Sequence, residues 1–232
     1  MGLLLQISTA ATDTMAAGTT ALPTEETLSL WDLALKGGPI MVPIALCSLI
    51  AVYIIIERYF AIRKASKDDP NFMNNIRDFI SNGNITAARS LCKNTDSPVA
   101  RMIERGVSRI GKPLGDIEKA IENIGNIEVV KLEKGLSLLA TVAGAAPMLG
   151  FLGTVTGMIK AFYNMSKAGK TIDISLLSGG MYEAMVTTVA GLIVGIFALV
   201  AYNLLSAMVE KMVFKMETTS IEFMDLLQEP AR

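Results

Sequence analysis

Histidine is absent from the 232 residues, cysteine occurs only as Cys47 and Cys92, tryptophan occurs once, and charged residues make up 19% of the chain. Without imidazole there is no Ser-His-Asp triad, and with two scattered thiols there is no His or Cys metal site and no haem ligation. Redox chemistry is not expected either. The shortage of charge, against roughly 25% in soluble domains, comes with 51% hydrophobic residues. Together with a mean hydropathy of +0.45 it points to a membrane protein. A net charge of -1 hides a strong segregation, because more than half of the charged residues lie between Glu57 and Glu133.

Three uncharged stretches carry the apolar residues: 37–56, between Lys36 and Glu57; 135–159, between Lys134 and Lys160; and 184–209, between Glu183 and Glu210. At about 1.5 Å per residue each bridges or nearly bridges a hydrocarbon layer of about 30 Å. The expected fold is all-α, an integral membrane protein with transmembrane helices over 39–56, 135–163 and 183–209. Lys36 is the only basic residue before the first span, whereas Arg58, Arg63, Lys64 and Lys67 follow it directly. The positive-inside bias therefore puts the N-terminus outside and the C-terminus in the cytoplasm. Residues 57–134 become a cytoplasmic helical region, 164–182 an external loop and 210–232 a cytoplasmic C-terminal helix.

Residues 1–26, whose Leu3 to Leu5 patch lacks a positive leader, are expected to form an external arm. Residues 27–38 are expected to form an interfacial helix with Trp31 at headgroup depth. Asp69 and Pro70 signal a helix start, and Gly83 closes the helix through Phe72, Ile76 and Phe79. Ser97 and Pro98 start another helix, which stops near Gly111. From Asp116, Ile117, Ile121, Ile124 and Leu132 recur at helical spacing, so one helix is expected to run from the cytoplasm into span two. Residues 210–227 continue span three in the same way. With Cys47 in span one and Cys92 in a reducing compartment, no disulfide is expected between them.

Spans two and three are rich in small residues. Gly153 and Gly157 form one GxxxG pair and Gly191 and Gly195 another, and Gly150 adds to the first, so the backbones can approach closely. Pro147 removes a backbone donor in mid-span, which predicts either a bend or an accommodated kink. The hydroxyls of Thr141, Thr154, Thr156, Thr187 and Thr188 either satisfy themselves on the preceding turn or line a polar path. Glu183 adjoins span three on its outer side. Thr187 shares its helical face, and Thr188 is rotated away. Either Glu183 is a favourable charge at a helix N-terminus, roughly 20 Å from mid-span, or it is a proton-exchanging carboxyl.

The blocks LWDLALKGGPIMVPIALCSLIAVYIIIERYFAIRKA, APMLGFLGTVTGMIKAF and MYEAMVTTVAGLIVGIFALVAYN resemble the ExbB/TolQ branch of the MotA/TolQ/ExbB proton-channel family. The resemblance covers all three spans. It implies a bacterial inner-membrane subunit, not an enzyme, that needs no cofactor and binds no nucleic acid. Five copies would form a cyclic homo-oligomer in the bilayer, a pentamer lined by helices two and three with cytoplasmic extensions, around a pair of single-span ExbD-like subunits. The family's pathway threonines fall on Thr154 and Thr188 and its glutamate on Glu183, while Pro147 matches its span-two proline. Thr187 is an additional hydroxyl that leaves open which threonine is used. The implied function is coupling of the proton motive force, through a TonB-like protein, to transport at the outer membrane. A TolQ-like or gliding-type motor is the alternative within the family, and a non-conducting membrane scaffold is the alternative outside it.

Overall fold

The computed structural model describes residues 37–66, 70–167 and 174–228. Among these residues there are seven helices: α1 (Met41–Ala65), α2 (Phe72–Ser81), α3 (Ile85–Asn94), α4 (Pro98–Val107), α5 (Leu114–Glu133), α6 (Leu136–Lys167) and α7 (Ile174–Gln228). No strand occurs among the described residues. Three helices are long and apolar enough to cross a membrane, and they carry the three uncharged stretches. Less than a third of each apolar window is buried inside the protein, so most of its side chains face outward, as in a lipid-embedded helix.

The remaining helices form a small bundle at the charged end of α1 and α7. Ser97 caps α4 by accepting from the Ala100 amide at 3.1 Å, with Pro98 in the first turn. Buried Val99, Ile103 and Val107 on α4 and Ile117 and Ile121 on α5 meet Met216 and Phe223 of α7 in one core that also takes Ile62 of α1. Asp69, the expected arm and residues 27–36 of the expected interfacial helix lie outside the described residues. The first helix of the bundle starts at Phe72, two residues after Pro70. Asn84 caps α3 by accepting from the Ala87 amide at 3.1 Å; periodicity had not marked this helix.

Helix two is not continuous with α5. Lys134 turns extended and Gly135 takes φ +83°, a left-handed conformation that glycine adopts without steric cost, so α5 ends and α6 begins anew. Such an end leaves carbonyls without partners. Arg58, buried near the end of α1, donates from Nη1 to the Lys131 carbonyl at 3.2 Å and lies against Gly135. Its positive charge at a helix C-terminus is also favourable to the helix dipole. Glu57 accepts from the same guanidinium at 2.5 Å.

At the opposite end the helices outrun their uncharged stretches. α6 continues to Lys167 and α7 starts at Ile174, so helix replaces most of the loop expected over 164–182. The reason is packing: Gly180 rests against Ala161 and the Gly157 carbonyl, which carries the helix pair past Lys160 and Glu183. α7 runs unbroken for 55 residues, about 80 Å.

Candidate functional site

Among the described residues, α6 and α7 make the most extensive helix–helix contact, along a seam of small residues. A Cβ added to Gly191 would lie 2.6 Å from the Ala146 carbonyl oxygen and 2.9 Å from the Gly150 Cα, both backbone atoms. Gly150 and Gly157 face α7 backbone at a similar distance, and Gly153 is filled by the Thr187 side chain. Pro147 stays within continuous helix, its ring seated in the notch left by Gly195. The two helices approach closely at all six of these residues. Pro147 is the knob for a glycine hole.

The hydroxyls divide between the seam and its flanks. Thr187 is 1% exposed, donates to the Ala184 carbonyl at 2.8 Å and is a packing residue. Thr188 donates across to the Gly150 carbonyl of α6 at 3.0 Å and also reaches the Ala184 carbonyl at 3.3 Å. Thr154 donates to the Phe151 carbonyl at 2.6 Å and lines an apolar groove of about 530 Å³ with Met158, Met181 and Met185. Thr188 lies three residues after Met185 and one turn after Ala184, which also lines the groove, so Thr154 and Thr188 share one flank of the seam. Thr141 and Thr156 are satisfied on their own preceding turns.

Glu183 lies on the other flank. Its Oε2 pairs with the Lys160 Nζ at 3.1 Å, and its carboxyl lies against Gly38, where the chain enters α1 with φ +68°. Any Cβ at Gly38 would overlap that carboxyl, so glycine is required there both by backbone conformation and by space. The neighbouring Gly37 approaches Thr187. Because α7 begins at Ile174, Glu183 lies nine positions, about two and a half turns, inside the helix. The reading of a charge at a helix N-terminus is thus overturned: the partner is an ammonium on the next helix, not the dipole. Lys160 and Gly38 were missed as site residues. Lys160 closes span two and Glu183 opens span three, and an antiparallel helix pair brings such ends level.

Within one chain the structure puts Thr154 and Thr188 on one flank of the seam and pairs Glu183 with Lys160 on the other. Chemically, the first flank offers hydroxyl oxygens beside an apolar groove. The second offers a carboxylate paired with a single cation.

At the charged end, Lys64, Asp96, Arg101, Glu128 and Lys131 form a chain of ion pairs of 2.6–2.9 Å that ties α1, α4 and α5 together. Glu128 is 3% exposed and takes both Arg101 and Lys131. Hydrogen bonding and charge from Lys64, joined by Arg101, hold the Asp96 carboxyl below the ordinary range. Burial, with the nearby Glu104 charge, pushes the Cys92 thiol up to about 12.

Comparison with known proteins agrees with this architecture. Residues 94–218, more than half of the chain, match the MotA/TolQ/ExbB proton channel family. The biopolymer transport protein ExbB-like 3 of Synechocystis sp. is 31% identical over 170 residues, covering 73% of this chain and 81% of that protein. The biopolymer transport protein ExbB of Neisseria meningitidis is 25% identical over 189 residues, 74% of this chain and 84% of its own. The Tol-Pal system protein TolQ of Pseudomonas aeruginosa is 26% identical over 215 residues, 86% of this chain and 92% of its own. Three membrane-length apolar helices, a glycine-built seam between the second and third, and this match over more than half its length make the chain a member of the MotA/TolQ/ExbB proton channel family.

Proposed function

We propose that the chain is the ring-forming subunit of a proton-driven motor in the bacterial inner membrane, with its N-terminus periplasmic and its charged helices in the cytoplasm. Five copies enclose a pair of single-span ExbD-like helices, and the complex couples proton flow, through a TonB-like protein, to transport at the outer membrane. The observation that carries this reading is the flank of the α6–α7 seam, where Thr154 lines an apolar groove and Thr188 hydrogen-bonds across to the Gly150 carbonyl. Hydroxyls solvate a passing proton without placing fixed charge on the ring, and an apolar wall lets an enclosed helix turn. One elementary charge crossing 100 mV supplies about 2.3 kcal/mol, enough to bias such a turn. In a ring, the groove flank faces the enclosed helices, while Glu183 and Lys160 sit at its outer rim by α1.

A Tol-type role in the envelope is the second reading, favoured by the alignment with TolQ, which spans more of both chains than the alignment with the Neisseria ExbB. The test is a complex reconstituted with its single-span partner. Thr154→Ala and Thr188→Ala are expected to abolish proton-driven work while the assembly persists; undiminished work in both variants removes the channel assignment. A neighbouring gene for a TonB-like protein supports uptake, and a Tol-like cluster supports the second reading.

A further inference from the structure

A groove of about 330 Å³ lies between α3, α4 and α5 in the charged bundle, away from the proton path proposed above. Four cations line it, Arg89, Arg101, Arg105 and Lys131, against two carboxylates, Glu104 and Glu128. The carboxylates do not balance the cations where a ligand would meet them. The Glu128 side chain is only 4% exposed, and its two oxygens are taken by Arg101 and Lys131. Glu104 reaches Arg89 only at 3.9 Å, beyond hydrogen-bond distance. The cations, in contrast, keep unused donors. Arg105 is exposed and makes no ion pair among the described residues. Arg101 gives one N–H from each Nη to Asp96 and Glu128 and retains the second on each. Lys131 is 62% exposed and gives one of its three N–H bonds to Glu128.

Guanidinium groups converging from two helices suit a phosphate, because each presents a planar fork of donors to a pair of oxygens. Ile127, half exposed, adds an apolar wall, and the volume is that of a small-molecule site. We infer that the groove binds the phosphate of an anion carrying two or more negative charges, with Arg89 and Arg105 as its main ligands. Arg101 and Lys131 lend their spare donors from the opposite wall. The bound phosphate bridges α3, α4 and α5. Among the described residues the Arg89–Glu104 pair is the sole ion pair of α3, so the ligand fastens a helix that the chain itself holds loosely.

Height along the chain favours a soluble phosphate over a lipid headgroup. The groove spans α5 from Ile124 to Lys131, and on that stretch Gly125 and Val129 share a wall with Val213, Met216 and Ser220 of α7. Those α7 residues lie about 6–16 Å beyond the uncharged stretch that ends at Val209. Headgroups add only about 5–8 Å on each side of the hydrocarbon, so most of the groove stands in water. Exposed charges are screened by salt, which makes several convergent donors, not one, the requirement for selective binding.

The test titrates the full chain, in an uncharged detergent, with inorganic pyrophosphate by calorimetry, with sodium chloride holding the ionic strength constant. Saturable binding is expected, and with it a rise in the thermal unfolding midpoint. Arg105→Gln should weaken binding about tenfold and Arg89→Gln/Arg105→Gln about a hundredfold. Glu104→Gln removes the competing carboxylate and should tighten binding, a gain that a damaged fold cannot produce. A second arm separates the two sources of phosphate, using nanodiscs of phosphatidylcholine and phosphatidylglycerol. Pyrophosphate affinity unchanged there supports a soluble ligand. Phosphatidylglycerol that excludes pyrophosphate, and is retained by the unmodified chain but not by Arg89→Gln/Arg105→Gln, supports the same site with a lipid phosphate. Neither pyrophosphate binding nor phosphatidylglycerol retention, or equal affinity in the unmodified chain and the two-site variant, overturns the inference.

Discussion

Replacing Gly191 by alanine tests whether the α6–α7 seam is set by backbone contact. The added methyl would stand 2.6 Å from the Ala146 oxygen, 2.9 Å from the Gly150 Cα and 3.1 Å from the Gly150 nitrogen, none of which can rotate away. Since relaxed C···O contacts fall at about 3.3 Å or more, the helices must part by about 0.7 Å. A gap of that size forfeits about a quarter to a half of each van der Waals attraction along the seam. Overpacking of this kind costs about 1–3 kcal/mol. Helix propensity acts in the other direction and returns about 1 kcal/mol. Gly125→Ala is the matched control, for it lies in the middle of α5 and its new methyl would meet only the end of the Met102 side chain at 3.4 Å. That variant keeps the propensity gain and escapes the clash. In detergent, thermal unfolding should move down for Gly191→Ala and up for Gly125→Ala, by about 2–4 °C per kcal/mol at this chain length. Shifts of the same sign in both would refute the argument from backbone contact.

Four further outcomes are expected. Glu183→Gln should impair proton-driven work with the assembly intact, Lys160→Met should match it, and the double variant should be no worse than either, because the two act as a pair; additive losses in the reconstituted complex would separate them. Arg101→Met leaves buried Glu128 with Lys131 alone and should destabilise the charged bundle by about 2 kcal/mol, read from chemical unfolding; a change under about 0.5 kcal/mol would count against the network. Cys92 should resist thiol-specific alkylation at pH 8 in the folded chain, and because its folded pKa is raised, its contribution to stability is complete below about 8.5 and lost as pH rises toward 12. Asp96 is the converse: its lowered pKa means a contribution present above about 3.9 and lost as pH falls through the folded value, so Asp96→Asn should flatten the acid limb of the unfolding curve.

The three membrane helices were legible because charge is costly in hydrocarbon, so gaps such as Lys134 to Lys160 mark the spans. The seam was legible for a related reason, since Gly153 and Gly157, like Gly191 and Gly195, repeat on one helical face. Rotation by 100° per residue was enough to separate Thr187 from Thr188, and the structure puts them in the seam and on its flank. What escaped depends on distant partners. Ile117, Ile121, Ile124 and Leu132 keep helical spacing up to Gly135, and nothing local shows that Arg58, 73 residues before Lys131, takes over the freed carbonyl. The pairing of Glu183 with Lys160 and the fit of its carboxyl against Gly38 likewise arise only once three helices meet. α3 stayed hidden because it is a ten-residue helix with only Ala88 and Cys92 buried.

The central claim is that the flank bearing Thr154 and Thr188 looks inward at a foreign helix. Placing a photo-crosslinking residue at Met185, in the same groove, and irradiating the complex in membranes tests it directly. The account predicts an adduct with the single-span partner; adducts confined to phospholipid would contradict it.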